Sequence, residues 1–132
     1  MMKSMSHSRE ITGYSSIVWH ESKTLPGVRY ATRRISLMQR IELTSKVREI
    51  VLQHEFLKAG DTSEQLEATL GELLARKLYI EWGLHEIQGL TIDGEPAVVE
   101  SVIAKGPEGL TDEIVATIRE QLELSGEERK NS

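Results

Sequence analysis

Cysteine is absent from this chain of 132 residues, which excludes disulfides, thiolate metal sites and cysteine nucleophiles together and is compatible with a reducing compartment. Stability therefore has to come from packing. No apolar run approaches the roughly 20 residues that span a bilayer, so the expectation is a soluble, cytoplasmic protein without a membrane partner. Met1 to Glu10 is polar and somewhat basic, and it lacks the apolar stretch and small-residue cleavage site of a secretory signal. It reads as a mobile terminus.

Catalytic constellations are missing too. His7, His20, His54 and His85 are scattered, with no His-x-x-x-His pair, and are expected to be ordinary surface or hydrogen-bonded residues. Ser15 and Ser16 lack a nucleophile-elbow context, and Gly-Leu-Thr-Ile-Asp-Gly at 89–94 lacks both a phosphate-loop lysine and calcium-loop ligand spacing. Carboxylates abound in the second half, yet no pair stands in a motif that assigns it acid–base work. The reading is a non-enzymatic protein with no catalytic residue, no cofactor and no metal.

What is present is globular. A hydrophobic content of 39% and a charged content of 28% suit one core of modest size. The expected organisation is a flexible terminus over 1–12, a single domain over 13–124 and a frayed polar tail over 125–132 that has no apolar anchor. The net charge of −5 conceals a division: residues 1–60 carry ten Lys/Arg against five Glu, and residues 61–132 carry six against sixteen Asp/Glu. Such polarity suits a nucleic-acid contact, self-association between opposite halves, or solubility alone.

The elements follow from periodicity. Tyr14, Ile17, Val18, Trp19, Val28, Tyr30, Thr32 and Ile35 cluster around a polar stretch from His20 to Gly27, which predicts a β-hairpin or a strand that pairs with another molecule. Ser36 with Gln39 offers a capping box for a long helix whose stripe is Leu37, Ile41, Val47, Ile50, Val51, His54 and Leu57. Gly60 would end it and Asp61 to Ser63 would cap the next. Leu66, Leu70, Leu73, Leu74, Leu78 and Trp82 form the stripe of that second helix, stopped by Gly83, and the short connection predicts an antiparallel αα-hairpin.

Trp82 to Ala97 compresses helix-stop, strand and turn signals into sixteen residues without catalytic chemistry, the pattern of a recognition element. Asp93-Gly94 predicts a tight turn, and Pro96 bars a long central strand, so at most short strands are expected there. Ala97 to Ala104 fits a short helix ended by Gly106, although Val98, Val99, Val102 and Ile103 would also suit a strand; the helix is favoured because Pro107 restarts a last helix striped by Leu110, Ile114, Val115, Ile118 and Leu122. The fold class is α+β and predominantly α-helical: an N-terminal β-hairpin, a long αα-hairpin, the tight Asp-Gly loop and two further helices.

Trp82, Leu84, Ile87, Leu90 and Ile92 are the candidate partner-facing positions, since a helix-terminal tryptophan presents large apolar area at low entropy cost. The competing reading packs Trp82 inside, in phase with Leu70, Leu74 and Leu78. Arg29, Arg33, Arg34, Arg40, Lys46 and Arg48 are a candidate phosphate-tracking patch, weighed against a solvated helix face in which Glu42 and Lys46 form an i,i+4 pair.

Four segments carry a resemblance: Leu78-Tyr79-Ile80-Glu81-Trp82-Gly83-Leu84, Gly89-Leu90-Thr91-Ile92-Asp93-Gly94-Glu95-Pro96-Ala97, Gly106-Pro107-Glu108-Gly109-Leu110, and Leu124-Ser125-Gly126-Glu127-Glu128-Arg129-Lys130-Asn131. With weaker likeness upstream, through Arg34-Ile35-Ser36-Leu37 and Phe56-Leu57-Lys58-Ala59-Gly60, the chain over 27–131 resembles small phage and prophage tail assembly chaperones. The resemblance implies a non-enzymatic, mostly helical bacteriophage protein that binds the tape-measure protein, or another phage tail protein, during tail assembly in the host cytoplasm. A structural virion protein of the tail or head–tail junction, adding the 13–35 strand to a neighbour, is the alternative. A small nucleic-acid-binding regulator using the basic half is a third reading, and a homo-oligomer is compatible with all three.

Overall fold

The computed structural model describes residues 10–55 and 62–131, and among them the side chains of 10–53 and 62–122. His7, Leu57, the Gly60 stop and the Asp61 cap lie outside the described residues, as do the side chain of His54 and those from Glu123 onward. The chain runs β1 (Ile17–Glu21), β2 (Arg29–Arg33), α1 (Leu37–Glu55), α2 (Thr62–Gly83), β3 (Leu84–Gln88), β4 (Thr91–Ile92), β5 (Glu95–Pro96), α3 (Val99–Lys105) and α4 (Glu108–Asn131). The fold is α+β, with the expected N-terminal hairpin, helical hairpin and two further helices.

β1 and β2 pair antiparallel within the chain, from Ile17 opposite Arg33 to Glu21 opposite Arg29. Their connection closes on a β-turn of Leu25, Pro26, Gly27 and Val28, in which the Val28 N–H donates to the Leu25 carbonyl at 3.2 Å. Proline at the second turn position and glycine at the third are what such a turn favours. The Ser36 box forms as expected: the Gln39 N–H donates to Ser36 Oγ and the Ser36 N–H to Gln39 Oε1, both at 3.2 Å.

The segment after Gly83 departs from expectation. Leu84–Gln88 is a full strand, antiparallel to β2 with Tyr30 opposite Ile87, so the hairpin becomes a three-stranded sheet of order β1-β2-β3. β2 is then central, and Val28, Tyr30, Ala31 and Thr32 are all buried where alternation predicted one buried face. Only β4 and β5 are the short strands foreseen, joined by Asp93 (φ 53°) and Gly94 (φ 82°). Two successive positive φ values make the hairpin turn that an Asp-Gly pair adopts most readily. α4 continues to Asn131, past the expected end at Leu124. Straight-chain Glu127, Glu128, Arg129 and Lys130 have good intrinsic helix propensity without an apolar anchor.

The core lies between one face of the sheet, the C-terminal half of α2, α3 and α4. Val28, Tyr30, Ile80, Leu84, Ile87, Ala97, Val102, Leu110, Ile114, Val115 and Ile118 form it. Burying a leucine or isoleucine such as Leu110, Ile114 or Ile118 contributes roughly 1.5–3 kcal/mol each before entropy is subtracted. The α4 stripe therefore faces inward as its sequence predicted.

The stripes of α1 and α2 do so only in part: Val47, Ile50, Val51, Leu78 and Trp82 are half-buried, and the rest of the described stripe is exposed. In α2 the buried positions are Ala68, Gly71, Ala75, Ile80 and Gly83, whereas Leu66, Leu70, Leu73 and Leu74 are exposed. Among the described side chains of α1 the fully buried residue is Leu43, and Leu37 and Ile41 are exposed. The physical reason is the small-residue row on α2. Ala68, Gly71 and Ala75 let α1 approach closely on that side, and the bulkier leucines are left pointing away.

Two glycines lock the frame. A Cβ on Gly89 (φ +84°) would overlap the Gly27 carbonyl oxygen, so the end of β3 and the β1–β2 turn touch backbone to backbone. A Cβ on Gly83 would stand 2.5 Å from Ile118 Cδ1 and 2.8 Å from its Cγ1, so the buried Ile118 side chain would have to repack. Gly89→Ala is therefore expected to lower the unfolding free energy by about 2–4 kcal/mol, and Gly83→Ala by about 1–2 kcal/mol. Urea unfolding should show part of the second loss recovered by adding Ile118→Val; equal losses without recovery would contradict this packing.

Candidate interaction surface

The densest polar constellation joins residues some 90 positions apart. Glu113, on the first turns of α4, accepts hydrogen bonds at Oε1 from Ser22 Oγ (2.9 Å) and the Thr24 N–H (3.2 Å). Its Oε2 accepts from the Lys23 N–H and from Tyr30 Oη, both at 3.1 Å. Ser22 Oγ in turn accepts from the N–H groups of Thr24 and Leu25. One carboxylate thereby holds the whole β1–β2 loop against α4. Burial pushes the Glu113 carboxyl up, but the hydrogen bonds from Thr24, Lys23, Ser22 and Tyr30 outweigh it and bring the pKa down to about 2.

Neighbouring groups are set by the same clamp. Tyr30 is pushed up to about 12 by burial, a hydrogen bond with Thr117 pulling the other way and the Glu113 charge adding to the rise. His20 stacks on Tyr30 with ring centroids 5.2 Å apart, and its Nε2 lies 2.9 Å from Thr32 Oγ1. Burial lowers its pKa, opposed by the Glu113 charge. Gln121 Nε2 also reaches Thr32 Oγ1, and Gln121 Oε1 is buried without a hydrogen-bond partner. Chemically this is a fastening. A carboxylate already accepting four hydrogen bonds is a poor proton acceptor, and a tyrosine titrating near 12 stays neutral as a donor. Among the described residues no cluster of three or more His, Asp or Glu could hold a metal ion, and no helix is long and apolar enough to cross a membrane.

The five positions expected to face a partner are divided by the fold. Leu84 and Ile87 are core residues at 1% and 7% exposure, because β3 joins the sheet and turns these two side chains inward. Leu90 and Ile92 are half-buried against that core. Trp82 is half-buried between α1 and α2, with the Lys46 ammonium 5.9 Å from its ring centroid. Trp82 lines a different cleft from the one that Leu84 and Ile87 border.

The candidate phosphate-tracking residues are dispersed as well. Arg29 stacks on Trp19 at 4.5 Å and pairs with Glu21 at 3.6 Å; Arg34 covers Tyr14; Arg40 donates to the Leu122 carbonyl at 3.1 Å. With Lys46 on Trp82, four of the six cations have local partners instead of forming a continuous groove.

What sequence reasoning missed is apolar surface. Leu37, Met38, Ile41 and Leu52 form a row on α1 and are 53% to 67% exposed. Leu66, Leu70, Leu73 and Leu74 form a second row on α2, and their exposure runs from 37% to 66%. Both rows sit on a helical hairpin that reaches beyond the core. The available signal was Ala68, Gly71 and Ala75, whose spacing marks the side of α2 where another helix can come close.

The clamp has an acid signature. Because the folded carboxyl titrates near 2 and its ordinary value is 4.5, the contribution is complete above about pH 4.5 and is lost as pH falls toward 2. Glu113→Gln is expected to cost about 2 kcal/mol at pH 7 and progressively less below pH 4.5. Urea midpoints measured across that range check it, and a difference independent of pH would assign Glu113 no such role.

Comparisons with known protein families, with curated proteins and with solved structures returned no match, so the site stands on its own geometry.

Proposed function

We propose that this chain is a non-enzymatic assembly chaperone of the phage tail, one that holds the tape-measure protein during tail building in the host cytoplasm and is not retained in the particle. The observation that carries the reading is the exposed apolar surface of the helical hairpin. A compact base of sheet, α3 and α4 supports it, and the hairpin offers rows of leucine, isoleucine and methionine to a partner. Rows of exposed large apolar side chains on a charged, globular chain mark a site for another molecule. A long helical client has the matching chemistry, since an amphipathic helix lays its apolar face along such a row. Resemblance of the sequence over 27–131 to tail assembly chaperones supplies the identity of that client.

The α1 row suits a holding role. Leu37, Met38, Ile41 and Leu52 are interrupted by Thr44, Ser45 and Arg48 on the same side of the helix, so contacts there are separated and individually weak. Short-lived contacts of that kind prevent aggregation without trapping the client. Client release then requires no chemistry.

One observation favours a second reading. β1 is an edge strand: Ser15 Oγ takes the N–H and carbonyl of Ile17, no described strand pairs beyond it, and an extended segment of a neighbouring protein could add alongside the exposed Trp19 as a further strand. That would suit a structural component of the tail or head–tail junction. Mass spectrometry of purified particles separates the two, since many copies per particle belong to the structural reading only.

Co-expression with the tape-measure protein of the same locus is expected to move that protein from the insoluble to the soluble fraction. Ile41→Lys combined with Leu52→Lys should abolish the effect while leaving the far-ultraviolet circular dichroism unchanged. Unaltered client solubility with the wild-type chain would sink the chaperone reading.

A further inference from the structure

The outer side of α2 has a periodicity of its own. Leu66, Leu70, Leu73, Lys77 and Ile80 recur at intervals of four, three, four and three residues, the 3.5-residue repeat of a coiled-coil seam. Within the chain this seam is half used. Ile80 is buried by the core, and a cleft at its foot is lined by Leu73, Arg76, Lys77, Ile80, Ile103 and Glu108. Toward the N-terminal end of α2 the same seam is open, and Leu66 stands out as a knob at 66% exposure.

We propose that this seam pairs with its own copy: two chains associate about a two-fold axis, their α2 helices antiparallel and crossing between Leu70 and Leu73. The pairing is self-complementary in shape. Leu66 lies about 8 Å along the helix on one side of that crossing, and Lys77 lies about 8 Å on the other, at 1.5 Å per residue. Each Leu66 therefore arrives at the other copy's cleft, beside Lys77 and Ile80, and symmetry repeats the contact. Leu70 meets Leu73 in the two central layers.

Charge selects the direction. The N-terminal half of α2 carries Glu64, Glu67 and Glu72, and Arg76 and Lys77 follow. Antiparallel pairing sets Glu67 beside Arg76 and Lys77 of the other copy, where each can add a partner to those it has within its own chain. Parallel pairing would stack Glu67 on Glu67 and Lys77 on Lys77. A single charged residue in an apolar seam fixes register in this way. The existing partners of Arg76 and Lys77, Asp112 and Glu81, are exposed surface ions that do not bar a shared contact.

Leu66, Leu70 and Leu73 are 66%, 45% and 51% exposed, so two copies of the row would withdraw at most about 600 Å² of apolar surface. At ordinary interface composition that corresponds to about 1,000 Å² in all, the size of a weak, reversible pair. The α1 row stays open in such a pair, so the dimer would present two client rows. The inference does not depend on the identity of the client.

Sedimentation velocity of the full chain across a concentration series tests it. A concentration-dependent shift from monomer to dimer is expected, abolished by Leu70→Glu and retained by Leu52→Glu, which changes the other row. A monomer at every concentration, or a dimer lost equally in both variants, overturns the proposal. Register is read independently, because the chain has no cysteine of its own. Leu66→Cys with Lys77→Cys should give a covalent dimer on mild oxidation, and Leu66→Cys alone should not, its two copies lying about 16 Å apart along the axis. Cross-linking by Leu66→Cys alone would overturn the antiparallel arrangement.

Discussion

The passage from α2 into β3 at Gly83–Leu84, made without an intervening loop, governs how the remaining parts are placed. A helix that becomes a strand in one step has no freedom to swing. Its last turn must rest on α4, and its first strand residues must enter the sheet. Gly83 permits the first by bringing the α2 backbone against Ile118, and Leu84 and Ile87 secure the second by occupying the core on the sheet's inner face. With the C-terminal end of α2 fixed in this way, the direction of the helical hairpin is fixed too. Its far half lies away from that core, and Leu52, Leu66 and Leu70 there are exposed.

The two ends of the molecule are stabilised by different physics. Around the core, burial of branched aliphatic residues provides the driving force, and it is indifferent to pH. At the sheet's loop end, the Glu113 carboxylate satisfies three loop donors and the Tyr30 hydroxyl. The N–H groups of Lys23 and Thr24 are exposed and could bond water instead, so the carboxylate's effect is to fix the loop on α4. The charged acceptor thus tethers the N-terminal hairpin to the last helix, across a sequence separation that no local signal could bridge. Such a base is rigid enough to present a hairpin without collapsing onto it.

Outward-facing leucine is costly for an isolated chain, and this one has eight large apolar residues on the two outer rows. The two rows differ in kind. On α1, polar residues divide the row, which favours many weak contacts. On α2, the 3.5-residue repeat and the split of acidic and basic residues favour one defined partner in one orientation.

Local instructions were legible in the sequence wherever a short-range interaction decides the outcome. Ser36 and Gln39 cap a helix, Asp93-Gly94 turns a hairpin, and Gly106-Pro107 separates two helices, because each depends only on neighbours within a few residues. Which apolar stripe becomes interior was not legible for α1 and α2. Periodicity says that a helix has an apolar side, but only the arrival of a second helix decides which side is covered, and here close approach at Ala68, Gly71 and Ala75 prevailed over leucine area. The same holds for β3, whose five residues became a strand because β2 had a free edge to pair with, and for Leu84 and Ile87, which that pairing carried from candidate surface to core. Sequence by itself determined the elements and their caps, which are matters of local hydrogen bonding and backbone conformation. Tertiary structure alone decided which apolar rows stay in water, because that depends on where the other elements, remote in the chain, come to rest.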